Sequence, residues 1–169
     1  LSKAQEAGAD LVFLPIYYTE ASLILAQANA MGYAPKFFGC DGLDGILGVE
    51  NFDASLAEGV MLLTPFAADA QDDATKSFVS AYEAAYGETP NQFAADAYDA
   101  VYIVKAAIEK SGATPADGVS GICDKLKSVM TEITYDGLTG AGMSWAADGT
   151  VNKAPKAMEI KNGEYSLIQ

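Results

Sequence analysis

The chain has 169 residues, a formal net charge of −13 and ten cationic side chains, all of them Lys. With no His and no Arg it can carry no Ser-His-Asp or Cys-His machinery, no imidazole-held zinc and no arginine clamp of its own. Its acidity argues against nucleic acid, which asks for clustered positive charge, and its 50% apolar content marks a core-forming globular chain rather than a disordered acidic tail.

The length fits one domain, or two pieces of a larger one. Cys40 and Cys123 are too few for a disulfide framework and have no metal-ligand spacing, so both read as small buried hydrophobes. No apolar run reaches the roughly 18 residues that span a bilayer. No basic stretch followed by an apolar one marks a secretory leader. The opening residues Leu1 to Gln5 read as the tail of a helix already under way, with no initiator Met, and this predicts a fragment of a longer protein.

In chain order, Asp10 to Pro15 (DLVFLP) is a near-continuous apolar run, which predicts a strand buried on both faces. Thr19 is placed to cap a helix whose Ala21, Ile24, Leu25 and Ala28 follow helical spacing, with Gly32 as its stop. Lys36 to Cys40 predicts a second strand, residues 52–57 a short helix, and Gly59 to Thr64 a third strand. Pro65 to Asp73 reads as a connector. Beyond it, Asp72 or Asp73 opens a helix with Phe78, Val79, Tyr82 and Tyr86 on one face, closed by Gly87. A longer helix follows Pro90, with Phe93, Ala97, Val101, Val104 and Ile108 inward, and a third spans 115–130 with Val119, Ile122, Leu126 and Val129 inward. The tail is β: residues 142–145, 157–160 and 165–168, with Asn162-Gly163 signalling a type I′ hairpin. The βαβαβ opening calls for an α/β fold with a parallel sheet and flanking helices.

In such a sheet, ligands bind beyond the carboxyl ends of the parallel strands. Tyr17 and Tyr18 follow the first strand, and Asp41-Gly42 follows the second, so both project from one rim. Aromatic rings beside a carboxylate suit a small cation with an apolar body, such as the ammonium end of an amino acid. The plainer alternative makes the tyrosines exposed rim aromatics and Asp41 a turn cap. On its neighbours alone Phe93 reads as core, and Tyr98 and Tyr102 as interface or core. Asp69, Asp72 and Asp73 lack the Gly and Glu spacing of a calcium loop and read as a solvated connector. The Gly-rich stretch 137–142 (GLTGAG) follows no strand-to-helix context and is not read as a phosphate loop.

Four stretches carry a resemblance: ADLVFLPIYYTEASLILAQANAMGYAPKFFGCDG, AEGVMLLTPF, FVSAYEAAYGETPNQFAADAYDAVYIVKAAIEKSG and DGLTGAGMSWAADGTVNKAPKAMEIKNGEY. Together they resemble the type I periplasmic binding proteins of branched-chain amino acid ABC transporters, along essentially the whole chain. The resemblance implies two α/β lobes closing on a ligand. Residues 1–66 would be the later half of the second lobe, 67–145 a contribution to the first, and 146–169 strands returning to the second lobe or hinge. It implies Tyr17 packing on the ligand, Asp41 receiving its ammonium, Phe93 lining the pocket and Tyr18 beside them without a fixed role. No metal and no cofactor is expected. The implied role is capture of a small amino acid on the periplasmic or extracellular side, with lipoprotein anchoring, for delivery to the membrane permease subunits. The partners expected for this chain are the missing N-terminal half or another copy of itself.

Two other readings stand beside this one. A sensory domain of the same fold would bind an amino acid to signal. An enzyme or phospho-acceptor would use Asp41 and Asp44 as a carboxylate pair, but the third strand ends at Thr64-Pro65 without the Lys such a site wants. The chain is therefore expected not to be an enzyme.

Overall fold

A computed structural model describes residues 1–168. The chain begins with a short helix α1 (Ser2–Glu6), then β1 (Leu11–Leu14), α2 (Tyr18–Ala30) and β2 (Lys36–Gly39). Three single 3-10 turns (Asp41–Leu43, Ile46–Gly48, Ala54–Ala57) lead to β3 (Met61–Thr64) and then α3 (Asp73–Tyr86). After these come α4 (Gln92–Ser111), α5 (Gly118–Val129), the short strands β4 (Thr134–Tyr135) and β5 (Met143–Ser144), and the hairpin β6 (Lys156–Lys161) with β7 (Glu164–Leu167). The fold is α/β, as the sequence predicts. These elements separate into two compact units, residues 1–92 with 155–168, and residues 93–154. Ala67 is buried in the first unit's core, and Phe78 of α3 sets its ring edge-on against Phe66 at 5.9 Å.

The first unit holds a five-stranded sheet in the order β1-β2-β3-β6-β7. β1, β2 and β3 run parallel, and β6 adds antiparallel to β3 with Leu62 opposite Met158. Ala21, Leu25 and Ala28 of α2 pack in one core with Leu14, Phe37, Leu62, Met158 and Ile160. Burial of that apolar stripe, at roughly 25 cal/mol per Å², is what holds the helix to the sheet. Asn162 and Gly163 both take positive φ (55° and 75°), the geometry a type I′ turn requires.

Four expectations need correction. β1 is not covered on both faces: Leu11 and Phe13 are about half exposed, because β1 is an edge strand whose side chains alternate in burial. Thr19 does not cap α2. The N-cap is Tyr17, and Thr19 lies inside the first turn, where its carbonyl accepts from the Ser22 hydroxyl at 2.7 Å. The stripe assigned inward on α4 (Phe93, Ala97, Val101, Val104, Ile108) is exposed, while Ala95, Asp99 and Ala107 are buried, because the loop held by Asp99 packs on that small-residue face. Cys123 lies exposed on α5, along with Val119, and Cys40 is only half buried.

In the second unit, the carboxylate of Asp99 organises the loop between β4 and β5. It accepts from the Leu138 and Thr139 amides at 3.0 and 2.9 Å and from the Thr139 hydroxyl at 2.7 Å. Gly137 lets the loop come this close: a Cβ there would sit 2.5 Å from an Asp99 oxygen. The Gly-rich stretch thus wraps an anion supplied by the chain itself. Lys153 pairs with Asp96 across the same unit.

Candidate functional site

The site builds from the carboxyl ends of β1 and β2. After β1 the chain turns through Ile16 into Tyr17, a residue 65% exposed whose extended backbone opens α2. After β2 it enters the Asp41–Leu43 turn, with Asp41 exposed and Gly42 buried. The two ends are pressed together. A Cβ on Gly42 would lie 2.6 Å from the Ile16 carbonyl oxygen and 3.3 Å from the Tyr17 Cα. Glycine is therefore required at position 42, and the Asp41 carboxylate and the Tyr17 ring rise from adjoining backbone on one rim. Tyr18 sits deeper, half buried, with its ring against Gly45, where a Cβ would be 3.3 Å away. Phe93 stands near the start of α4, 36% exposed, in the second unit.

Beneath Asp41 lies Asp44, which the sequence offers only as the second carboxylate of the rival pair and which is a buried polar group. The Asp44 carboxylate, 5% exposed, accepts from the Gln92 amide N–H at 2.7 Å, which caps the first turn of α4 from a residue 48 positions earlier. Thr64 at the end of β3 is buried beside it, its hydroxyl 3.5 Å from Asp44 and 3.1 Å from the Phe66 carbonyl. The Gly45 amide donates to the Tyr165 hydroxyl at 2.8 Å. Burial, with the Asp44 charge nearby, pushes the Tyr165 hydroxyl up to about 12, so it stays neutral at ordinary pH. A single signal pointed here: an Asp three residues beyond Asp41. It could not disclose its distant partner.

This arrangement weakens the chemical alternatives. Asp44 is engaged inside the protein rather than paired with Asp41 at the surface. The register of β6 brings Lys156 opposite Thr64, but its ammonium donates to the Pro65 carbonyl at 3.1 Å and helps lower the pKa of Asp72. Asp72 caps α3 through the Thr75 amide at 2.8 Å, which is the main cause of that lowering. Among the described residues no cluster of three or more Cys, Asp or Glu could hold a metal ion, and no helix is long and apolar enough to cross a membrane.

Residues 1–164 match the periplasmic binding protein family. The chain belongs to that family. Its members are binding proteins rather than enzymes, and the family's own description is periplasmic. The leucine-, isoleucine-, valine-, threonine- and alanine-binding protein of Pseudomonas aeruginosa is 29% identical over 120 residues, covering 71% of this chain and 32% of the relative. The branched-chain amino acid substrate-binding protein of Streptococcus pneumoniae, solved in complex with isoleucine, is 28% identical at a TM-score of 0.75, covering 94% of this chain and 44% of that one. A leucine-binding protein from Thermotoga maritima shares the fold at a TM-score of 0.80 and 24% identity, with 99% of this chain and 46% of that one covered. The chain thus spans less than half the length of these family members.

Proposed function

We propose that this chain is the later part of a substrate-binding protein of an ABC importer, which captures a small branched-chain or related amino acid outside the cytoplasm and passes it to a membrane permease. The observation that carries this is the rim itself: an exposed carboxylate (Asp41) and an exposed aromatic residue (Tyr17) on adjoining backbone beyond two parallel strands. The carboxylate suits the ligand's ammonium, the ring its aliphatic body, and a third-party anion such as phosphate would be repelled. The amino-acid ligands named for the relatives support the same class. On this reading residues 1–66 and 146–169 belong to the second lobe, 67–145 contribute to the first, and Phe93 lines the pocket from that side. Tyr18 supports the rim from below. A lipid anchor at the start of the full-length protein would hold it at the membrane.

The reading also gives the chain a partner, the preceding half of the full-length polypeptide. The exposed stripe on α4, with Val101 at 67% and Val104 at 46%, supports it as a face awaiting cover. Thermal shift and calorimetry against the common amino acids test the reading. The full-length protein is expected to be stabilised by leucine, isoleucine or valine without turnover. The 169-residue chain alone is expected to bind them no better than millimolar, about −4 kcal/mol. Micromolar binding by the isolated monomeric chain, or product formation from the full-length protein, would overturn it.

Tyr17 supplies a finer check. Tyr17→Ala should weaken amino-acid binding roughly tenfold, since a packed ring contributes about 0.5–1.5 kcal/mol beyond its buried area. Tyr17→Phe should be milder. Equal damage from Phe and Ala would shift the role from ring to hydroxyl, and no effect from either would return Tyr17 to an ordinary surface aromatic.

A further inference from the structure

Gln92 is the first residue of α4 and is 1% exposed. It reaches the Asp41–Asp44 turn twice. Its amide N–H donates to the Asp44 carboxylate at 2.7 Å, and its side-chain Nε2 donates to the main-chain carbonyl of Asp41 at 2.5 Å. The Asp41 carbonyl also accepts from the Asp44 amide at 3.0 Å, so both of its lone pairs are engaged. On its other side the same turn is pressed against Ile16 and Tyr17 through Gly42. The peptide that carries the Asp41 side chain is therefore clamped between the start of α2 and the start of α4.

The clamp has an unusual cost. Gln92 Oε1 is buried with no hydrogen-bond partner among the described residues. Turning the amide over would not help, because it would set two carbonyl oxygens against each other at the Asp41 contact. A buried orphan acceptor is unfavourable, and native proteins keep few of them. An apolar side chain of similar size would fill the space without that cost. What only the glutamine supplies is the donor to Asp41.

We infer that Gln92 is a positioning residue for ammonium recognition: it fixes the direction of the Asp41 carboxylate by holding that residue's own carbonyl. The inference rests on the reading of Asp41 given above, and it adds that the ligand's charge contact is wired to the first turn of α4. Gln92 itself does not touch the ligand.

The test is calorimetry on the full-length protein with two probes, L-leucine and isocaproate, the same skeleton without the ammonium. Gln92→Met is expected to lower leucine affinity roughly tenfold, the worth of one hydrogen bond to a well-placed group. Isocaproate affinity should not change, and the melting temperature should hold or rise because the orphan acceptor is gone. In an Asp41→Asn background, Gln92→Met should add little further loss. Equal losses for both probes, a loss that persists undiminished in the Asp41→Asn background, or no loss at all would overturn the inference. Should Gln92→Met fail to fold, Gln92→Leu read by the same pair of probes gives the same discrimination. If the unsubstituted protein does not prefer leucine to isocaproate, the Asp41 reading itself fails, and that result is visible before any Gln92 variant is made.

Discussion

Asp41→Asn is expected to cost the full-length protein about 30-fold to several thousand-fold in amino-acid affinity, with its fold and melting temperature unchanged. The side chain is exposed at the rim, so neutralising it removes no internal contact of the first unit. What it removes is the counter-ion for an ammonium that the closing ligand would desolvate. Losing one partner of such a charge pair costs about 2–5 kcal/mol, and each 1.4 kcal/mol is tenfold. Asp41→Glu should recover part of the affinity, because the charge returns on a longer stem. Calorimetric titration with leucine, isoleucine and valine reads all three proteins. Unchanged affinities in Asp41→Asn would remove Asp41 from the site and leave it a turn residue.

Asp99→Ala should act on stability instead. Its carboxylate satisfies the Leu138 amide, the Thr139 amide and the Thr139 hydroxyl, all in buried surroundings. Removing it strands two amides that cannot turn to water, at about 1–3 kcal/mol each. Destabilisation of roughly 3–5 kcal/mol is expected, a large share of the 5–15 kcal/mol that holds an ordinary domain together. Asp99→Asn keeps one acceptor oxygen and should fall between. Denaturant melts measure the loss, and hydrogen exchange locates it: amides 138 and 139 should lose protection first. A variant as stable as the parent would mean that the loop carries its own geometry without Asp99.

Much of the first unit was legible because its signals are local. DLVFLP, KFFGC and GVMLLT give three strands in place, and the Ala21, Leu25 and Ala28 spacing gives the face of α2. The hairpin at Asn162-Gly163 was equally plain, since its turn demands two positive φ angles. What failed depended on partners that periodicity does not name. The apolar stripe on α4 is real, but the helix turns its small-residue side to the loop held by Asp99. β1 reads as an interior strand, yet it lies at the edge of the described sheet. At the rim, the positions of Tyr17 and Asp41 follow from the strand ends alone. The contact of Asp44 with Gln92 does not, because it spans 48 residues and leaves no pattern in either neighbourhood.

The sheet order carries a consequence for how the first unit comes into being. β3 ends at Thr64, and the strand that covers its far edge starts at Lys156. Between them the entire second unit has to be synthesised. Until β6 arrives, β3 presents open amides and carbonyls to whatever extended chain is nearby. The first unit is thus the earlier to be made but the later to be finished, and its slow step is a long-range closure rather than any local one. A nascent chain halted anywhere between β3 and β6 would hold three parallel strands with a sticky border. For that interval, protection has to come from outside the fold, from a chaperone or from a chain kept unfolded until it is whole.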